Sequence, residues 1–306
     1  MIFAGISDLH FTDKKPKYRS DASSLATCFD KFRQVLDLCI MKETRVLVIG
    51  GDVFDYPTTP RYVVTGMQNL LSKYDIEILV IPGQHDLRYH AKGLDNTPLG
   101  NIISAGMMTL LVPHVPYVVN GIEFVGQGWE EKVECKGDIL VTHQMVTKKG
   151  PLWPGQTDFI SAAGLLNQHK GFKCVISGDN HKPHSFKSRD GRIQINSGSV
   201  MRSSKSQVDH KPLVWFIDTD NWSFKSEELD VKPSVEVFDF SKIATDETKD
   251  IARKEAQEKI DAFVDAFDQK QGEKTDFKTV VKRVVEESKP SKVVEHIINE
   301  ILESVS

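Results

Sequence analysis

Ile49-Gly50-Gly51-Asp52-Val53-Phe54-Asp55 is where the chain declares its architecture. Its run-in, Arg45-Val46-Leu47-Val48-Ile49, is apolar and β-branched without alternation, the pattern of a strand buried on both faces. The two glycines end that strand and let the backbone turn closely, so Asp52 projects from its C-terminal edge. Taken alone, such a carboxylate reads equally well as a helix N-cap. The balance shifts because the same arrangement, an apolar run, a short loop and a ligand-type side chain, recurs four more times.

Met1 to Ser7 is a short apolar run that delivers Asp8-Leu9-His10. If the segment stays extended, Asp8 and His10 point the same way and face one ion. Ser20 to Glu43 has the spacing of an amphipathic helix, with Leu25, Cys28, Phe29, Phe32, Val35, Leu36 and Cys39 on one stripe. A second helix over 60–73 feeds a strand Ile76–Ile81, which ends in Pro82-Gly83-Gln84-His85-Asp86. The order so far is β-α-β-α-β, with ligand-type residues where open α/β sheets place their sites. Further on, Thr109–Val112, Tyr117–Val119, Glu123–Gly126, Asp138–Thr142, Gly171–Ser177, Arg192–Asn196 and Leu213–Asp218 read as strands. Two of these lead into His143 and into Gly178-Asp179-Asn180-His181-Lys182-Pro183-His184. The expected fold is α/β, two sheets face to face with helices outside in an αββα sandwich.

Composition shifts near Lys232-Pro233, which divides the chain into 1–232 and a largely helical 233–306. Val235–Phe240 reads as a short strand, and Thr245–Gln269, Asp276–Glu287 and Ser291–Val305 as helices with apolar stripes. The last two are unusually apolar for a chain end, and the alternatives are packing on the main domain or binding a partner. Of the net charge of −4, residues 233–306 carry −5 (12 Lys and Arg against 17 Asp and Glu). The remainder is near neutral, so charge alone makes no case for nucleic acid. No run approaches the ~20 apolar residues of a membrane span. Cys28, Cys39, Cys135 and Cys174 lack CxxC spacing and sit in apolar surroundings, which suits reduced core residues in the cytoplasm. No G-x-S-x-G or Walker-type glycine loop is present, so serine-hydrolase and NTPase readings have no support.

Collected, the candidates are Asp8, His10, Asp52, Gln84, His85, His143, Asp179 and His181. Oxygen and imidazole donors without cysteine favour Mn, Fe or Zn over a structural thiolate site. Two ions need a carboxylate between them, and Asp52 is the natural bridge. In order, Asp8-x-His10, Gly51-Asp52-x-x-Asp55, Gly83-Gln84-His85-Asp86, His143 and Gly178-Asp179-Asn180-His181 resemble the motifs of the calcineurin-like metallophosphoesterases, D-x-H, G-D-x-x-D/N, G-N-H-D/E, H and G-H-x-H. The resemblance covers residues 1 to about 200. Asp55-Tyr56-Pro57-x-x-Pro60, Lys182-Pro183, Ser197-Gly198-Ser199 and the helical tail further resemble the SbcD-type DNA double-strand-break nucleases, at a divergence similar to phage-encoded members.

That resemblance implies two divalent ions, Mn²⁺ or alternatively Mg²⁺. Asp8, His10, Asp52 and His181 would hold one; Asp52, Gln84, His143 and Asp179 the other. Gln84 stands where the family has Asn, and Asp179 where it has the first His of the last motif, so both departures fall on the second ion. An anionic oxygen in place of an imidazole makes that position harder. His184 is the alternative ligand, and otherwise a substrate-side residue. His85 and Asp86 are the implied catalytic pair, His85 protonating the leaving oxygen or steadying developing charge, Asp86 and Asp55 orienting or serving as loop caps. Lys14, Lys15, Lys17, Arg19, Lys182 and Arg202 lie in loops after the motifs, where a phosphate backbone would track. The implied partners are DNA, an SbcC-type ABC/SMC-like ATPase gripping the C-terminal helices, and a second copy of the chain through the 60–110 region. A phosphatase, a small-molecule phosphodiesterase and a non-catalytic binding module are the alternatives.

Overall fold

The computed structural model describes residues 1–88, 93–270, 277–288 and 298. It divides into two units, Met1–Asp239 and Phe240–Ser306. In the first unit, β1 (Ile2–Ile6), β2 (Val46–Ile49), β3 (Glu77–Val80) and β4 (Thr109–Leu110) run parallel, linked by α1 (Ser24–Met41), α2 (Arg61–Leu71) and α3 (Pro98–Ser104). A second sheet is built from β5 (Tyr117–Val119), β6 (Ile122–Gln127), β7 (Ile139–His143), β10 (Cys174–Gly178), β11 (His184–Lys187) and β12 (Ile193–Asn196). Between β7 and β10 lie the small pair β8 (Val146–Thr147) and β9 (Ile160–Ser161) and the helix α4 (Ala162–Gln168). β13 (Leu213–Asp218) and β14 (Ser223–Glu228) return to the first sheet, whose order is β14-β13-β1-β2-β3-β4. The second sheet's order is β11-β12-β10-β7-β6-β5.

Alternation along each strand makes the layers. Phe3, Val48, Leu79 and Ile217 point inward and meet Phe124, Val141, Ile176 and Ile195 of the second sheet. Ala4, Ile6, Leu47 and Ile49 point the other way, under Phe32, Val35 and Leu36 of α1 and Val63 and Met67 of α2. Val125, Leu140 and Val175 pack beneath Leu165 and Leu166 of α4. The result is helix, sheet, sheet, helix. Each fully buried aliphatic side chain stabilises it by about 1.5–3 kcal/mol. The stripe expected in residues 20–43 is the buried face of α1, which starts four residues later because Ser23 caps it, Oγ accepting from the Ala26 amide.

Four elements depart from expectation. Val235–Phe240 does not form a strand: Pro233 starts one helical turn, α5 (Ser234–Val237), and the chain beyond it hydrogen-bonds to residues 18–20. α3 and α4 are short helices lacking a long apolar stripe, and each is set by a Thr or Ser cap, Thr97 and Ser161. In the second unit, α6 (Phe240–Lys270) begins five residues earlier than its stripe suggests, and α7 (Phe277–Ser288) follows with Val281 and Val284 buried. The expected helix over 291–305 lies outside the described residues. Among the described residues no helix is long and apolar enough to cross a membrane.

Candidate metal centre

The parallel strands of both sheets end on one side, and every cluster foreseen in the sequence lies there. β1 delivers Asp8 and His10, β2 delivers Asp52 and Asp55, and β3 leads into Gln84, His85 and Asp86 on one 3₁₀ turn. From the second sheet, His143 is the last residue of β7, and Asp179 and His181 follow β10. Asp8, His10, Asp52 and Asp179 all adopt left-handed backbone, at φ of 54°, 47°, 50° and 75°. Such angles are uncommon for non-glycine residues and concentrate at functional sites. They also correct the extended geometry expected for Asp8 and His10. The two side chains converge because both residues turn left-handed, with Asp8 N bonded to Gly51 O and His10 N to Asp52 O.

The distances tie these groups into one cluster around Asp52. Asp52 Oδ2 lies 3.7 Å from His10 Nε2 and 3.4 Å from His143 Nε2. Asp8 Oδ1 lies 3.9 Å from His10 Nε2 and 3.7 Å from His181 Nε2, and the two histidine Nε2 atoms are 3.1 Å apart. Three overlapping groups have mutually close donor atoms: Asp8, His10 and His181; His10, Asp52 and His85; Asp8, Asp52 and His143.

The outer hydrogen bonds aim the donor atoms. His143 Nδ1 donates to Gly50 O at 2.6 Å and His85 Nδ1 donates to Asp55 O at 2.7 Å, while Asp55 Oδ1 stands 3.3 Å from His10 Nδ1. In each ring Nε2 is left for the cluster, as in ligating histidines. Asp8 Oδ2, Asp52 Oδ2, Gln84 Oε1 and His143 Nε2 are buried with no hydrogen-bond partner. Orphaned buried acceptors are costly, and their convergence here is what a cation would satisfy. The donor set therefore fits divalent metal.

Electrostatics point the same way. Burial by itself would depress the His10 and His143 imidazoles, but the surrounding aspartates overcome it and hold them at about 9 and about 10. Burial pushes the Asp52 carboxyl up, yet His143 and His10 beside it bring it well below the usual carboxylate range. A field that draws protons onto imidazoles this strongly draws metal cations too.

Glycines make the close approach feasible. A Cβ on Gly83 would meet the Asp52 carboxylate, and one on Gly51, at φ 94°, would run into the His143 ring. Two further braces carried little sequence signal. Asn180 Nδ2 donates to Val146 O, and Asn196 Nδ2 to Asn180 O, holding the Asp179–His181 loop. Asn196 reaches it because β12 pairs with β10, a juxtaposition no local pattern reveals. His210 Nε2 sits 2.6 Å from Ser199 O, and Ser199 Oγ donates to Asp8 O.

Other expected site residues fall elsewhere. The Asp86 carboxylate accepts from the amides of Val53, Phe54 and Gly83, so it faces the backbone and braces two ligand loops; it does not face the cluster. Arg19 is buried, paired with Asp21 and donating to Arg202 O. Arg202 is also buried, donating to the carbonyls of Val208 and Lys232 and to Ser234 Oγ. Both arginines staple the returning chain and are not on a substrate rim, because their long side chains find interior carbonyls. His184 starts β11 half-buried and belongs to none of the donor groups among the described residues. Lys14, Lys15, Lys17 and Lys182 are exposed; Lys14 lies over the Tyr56 ring and Lys182 follows His181 directly.

The calcineurin-like phosphoesterase family model matches residues 1–183. Over 196 residues the chain is 31% identical to the DNA double-strand break repair protein Mre11 of Saccharolobus solfataricus, a match covering 58% of this chain and 50% of that protein. The chain thus spans about half the length of that relative. Among solved structures, an archaeal phosphodiesterase is 13% identical with a TM-score of 0.43, over 75% of this chain and 100% of its own. The 5'-nucleotidase precursor of Thermus thermophilus is 12% identical with a TM-score of 0.41, over 80% and 57%.

Proposed function

The chain belongs to the calcineurin-like phosphoesterase family, whose members are metal-dependent hydrolases of phosphoesters, and from that premise we propose that it is a two-metal DNA phosphodiesterase of recombination or double-strand-break repair. The observation that carries the reading is the convergence of Asp8, His10, Asp52, His143 and His181, with Asp8 Oδ2, Asp52 Oδ2 and His143 Nε2 buried and unpartnered. Asp8, His10, Asp52 and His181 would hold one ion; Asp52, Gln84, His143 and Asp179 the other. Three carboxylates and an amide oxygen favour Mn²⁺, with Mg²⁺ as the alternative. The ions, when bound, supply Lewis-acid polarisation of the phosphate and activate the attacking water.

The chain's own side chains do the rest. His85 Nδ1 donates to Asp55 O, which turns Nε2 toward the cluster, where as the imidazolium it would hand its second proton to the leaving oxygen. Asp55 steadies both His10 and His85 through one residue's carboxylate and carbonyl. The exposed Lys14, Lys15, Lys17 and Lys182 would receive phosphates of the backbone. The 31% identity to a double-strand-break repair protein supports DNA as substrate. α6 exposes Ile251 and Ile260, which suits docking of an SbcC-type ATPase on the C-terminal helices, and the 60–110 region is proposed as the contact of a homodimer.

The test is Mn²⁺-dependent cleavage of linear DNA, alone and with a coiled-coil ATPase, compared with turnover of p-nitrophenyl phosphate. His85→Ala should abolish cleavage while retaining bound Mn²⁺. Turnover of the small ester with DNA left intact would replace the nuclease reading by that of a phosphatase. Metal binding without hydrolysis of either substrate would make the chain a binding module.

A further inference from the structure

Gln84 and Asp179 come from different sheets, 95 residues apart, yet Gln84 Nε2 donates to Asp179 Oδ1 at 3.0 Å. This bond resolves the orientation of the amide. Its nitrogen must face the carboxylate, so its oxygen must face the other way, and Gln84 Oε1 is indeed buried without a partner. Asp179 is itself held at φ 75°, its amide donating to Asp8 Oδ1 at 3.2 Å. Burial pushes the Asp179 carboxyl up, with His143 and the Gln84 amide opposing. The carboxylate is thus steadied by the residue whose oxygen it orients.

Resting on the metallophosphoesterase reading, we propose that Gln84 and Asp179 act as one coupled unit that tunes the second ion position to a hard dication, Mn²⁺ or Mg²⁺, over Zn²⁺. His143 and Asp52 lie close together at that position, and the motif order would add the Asp179 carboxylate and the unpartnered Gln84 Oε1, leaving a single imidazole among oxygens. Oxygen-rich sets of this kind suit Mg²⁺ and Mn²⁺, whereas added imidazole favours Zn²⁺. Coupling follows from geometry. Loss of either partner frees the other, so the amide oxygen loses its aim in both cases.

The experiment strips the full-length chain of metal and titrates Mn²⁺ by electron paramagnetic resonance of the free ion, with Zn²⁺ as competitor. Two Mn²⁺ are expected in the unmodified chain. Gln84→Leu and Asp179→Ala should each weaken the looser Mn²⁺ by at least tenfold and leave the tighter one unchanged, which also reports an intact fold. The double variant should lose less than the product of the two single losses; losses that multiply would overturn the coupling. Asp179→His should raise the preference for Zn²⁺ at the looser position by at least tenfold, and an unchanged preference would overturn the tuning. No Mn²⁺ uptake by the unmodified chain would sink the metallophosphoesterase reading beneath it, whereas two ions with multiplying losses would sink the coupling alone.

Discussion

Gly83→Ala separates crowding from backbone strain at the ligand cluster. Gly83 has φ −96° and ψ 179°, which alanine adopts freely. By restricting the unfolded chain, the substitution taken alone favours the folded state by about 0.4–1 kcal/mol. In the folded chain the new methyl would lie on the Asp52 carboxylate, 2.6 Å from Asp52 N and 2.7 Å from its Cγ, where ordinary contact begins near 3.4 Å. Asp52 must therefore retreat by about 0.7 Å or more, and overpacking of this kind costs about 1–3 kcal/mol. The balance runs from about 0 to about 2.6 kcal/mol of net loss, seen as a lower urea midpoint. The larger effect is on chemistry. Asp52 Oδ2 lies 3.7 Å from His10 and 3.4 Å from His143, and a displacement approaching 1 Å at such a group costs on the order of 10²-fold in rate. Phosphodiester turnover should fall by about that factor, with weaker uptake of Mn²⁺ measured by calorimetry. Full Mn²⁺ affinity and wild-type turnover in Gly83→Ala would refute the close approach on which the Asp52 placement rests.

Because the folded, metal-free imidazoles of His10 and His143 sit at about 9 and about 10, Mn²⁺ must displace their protons. The apparent affinity of each Mn²⁺ should then rise by about tenfold per pH unit below about 9, with about one proton released per ion, measurable by calorimetry in buffers of different ionisation enthalpy. Asp86→Ala strands the amides of Val53, Phe54 and Gly83, and should cost about 1–3 kcal/mol by urea denaturation while loosening both ions. Burial raises the Asp21 carboxyl, but the Arg19 guanidinium more than offsets this and holds it below its ordinary 3.8. A depressed carboxylate contributes stability above that ordinary value and loses it as pH falls through the lower folded one. The acid limb of the stability profile below about pH 4 should therefore be shallower in Arg19→Gln, and an unchanged limb would remove the pair from the account.

Legibility tracked how local each signal is. The strand-loop-ligand units were readable because each is a contiguous run: four or five mostly buried residues ending at or just before a donor. Leu213–Asp218 and Tyr117–Val119 were matched residue for residue for the same reason. What escaped was set by distant partners. The left-handed turns at Asp8 and His10 depend on carbonyls of Gly51 and Asp52, and the fate of Arg19 and Arg202 depends on carbonyls that only the folded chain brings near. A basic residue in a loop reads as surface until its neighbours are known. The Gln84–Asp179 bond was likewise invisible, although both residues stood out individually.

The cluster draws His143, Asp179 and His181 from one sheet and the remaining donors from the other, so a bound pair of cations would rivet the halves of the sandwich together. Sliding one layer over the other, cushioned by Phe3 against Phe124 with ring centroids 5.4 Å apart, would then be felt as a change in coordination. Packing far from any phosphate thereby becomes a control on reactivity, and an alteration deep between the layers should register first as a lost ion and only later as a lost fold.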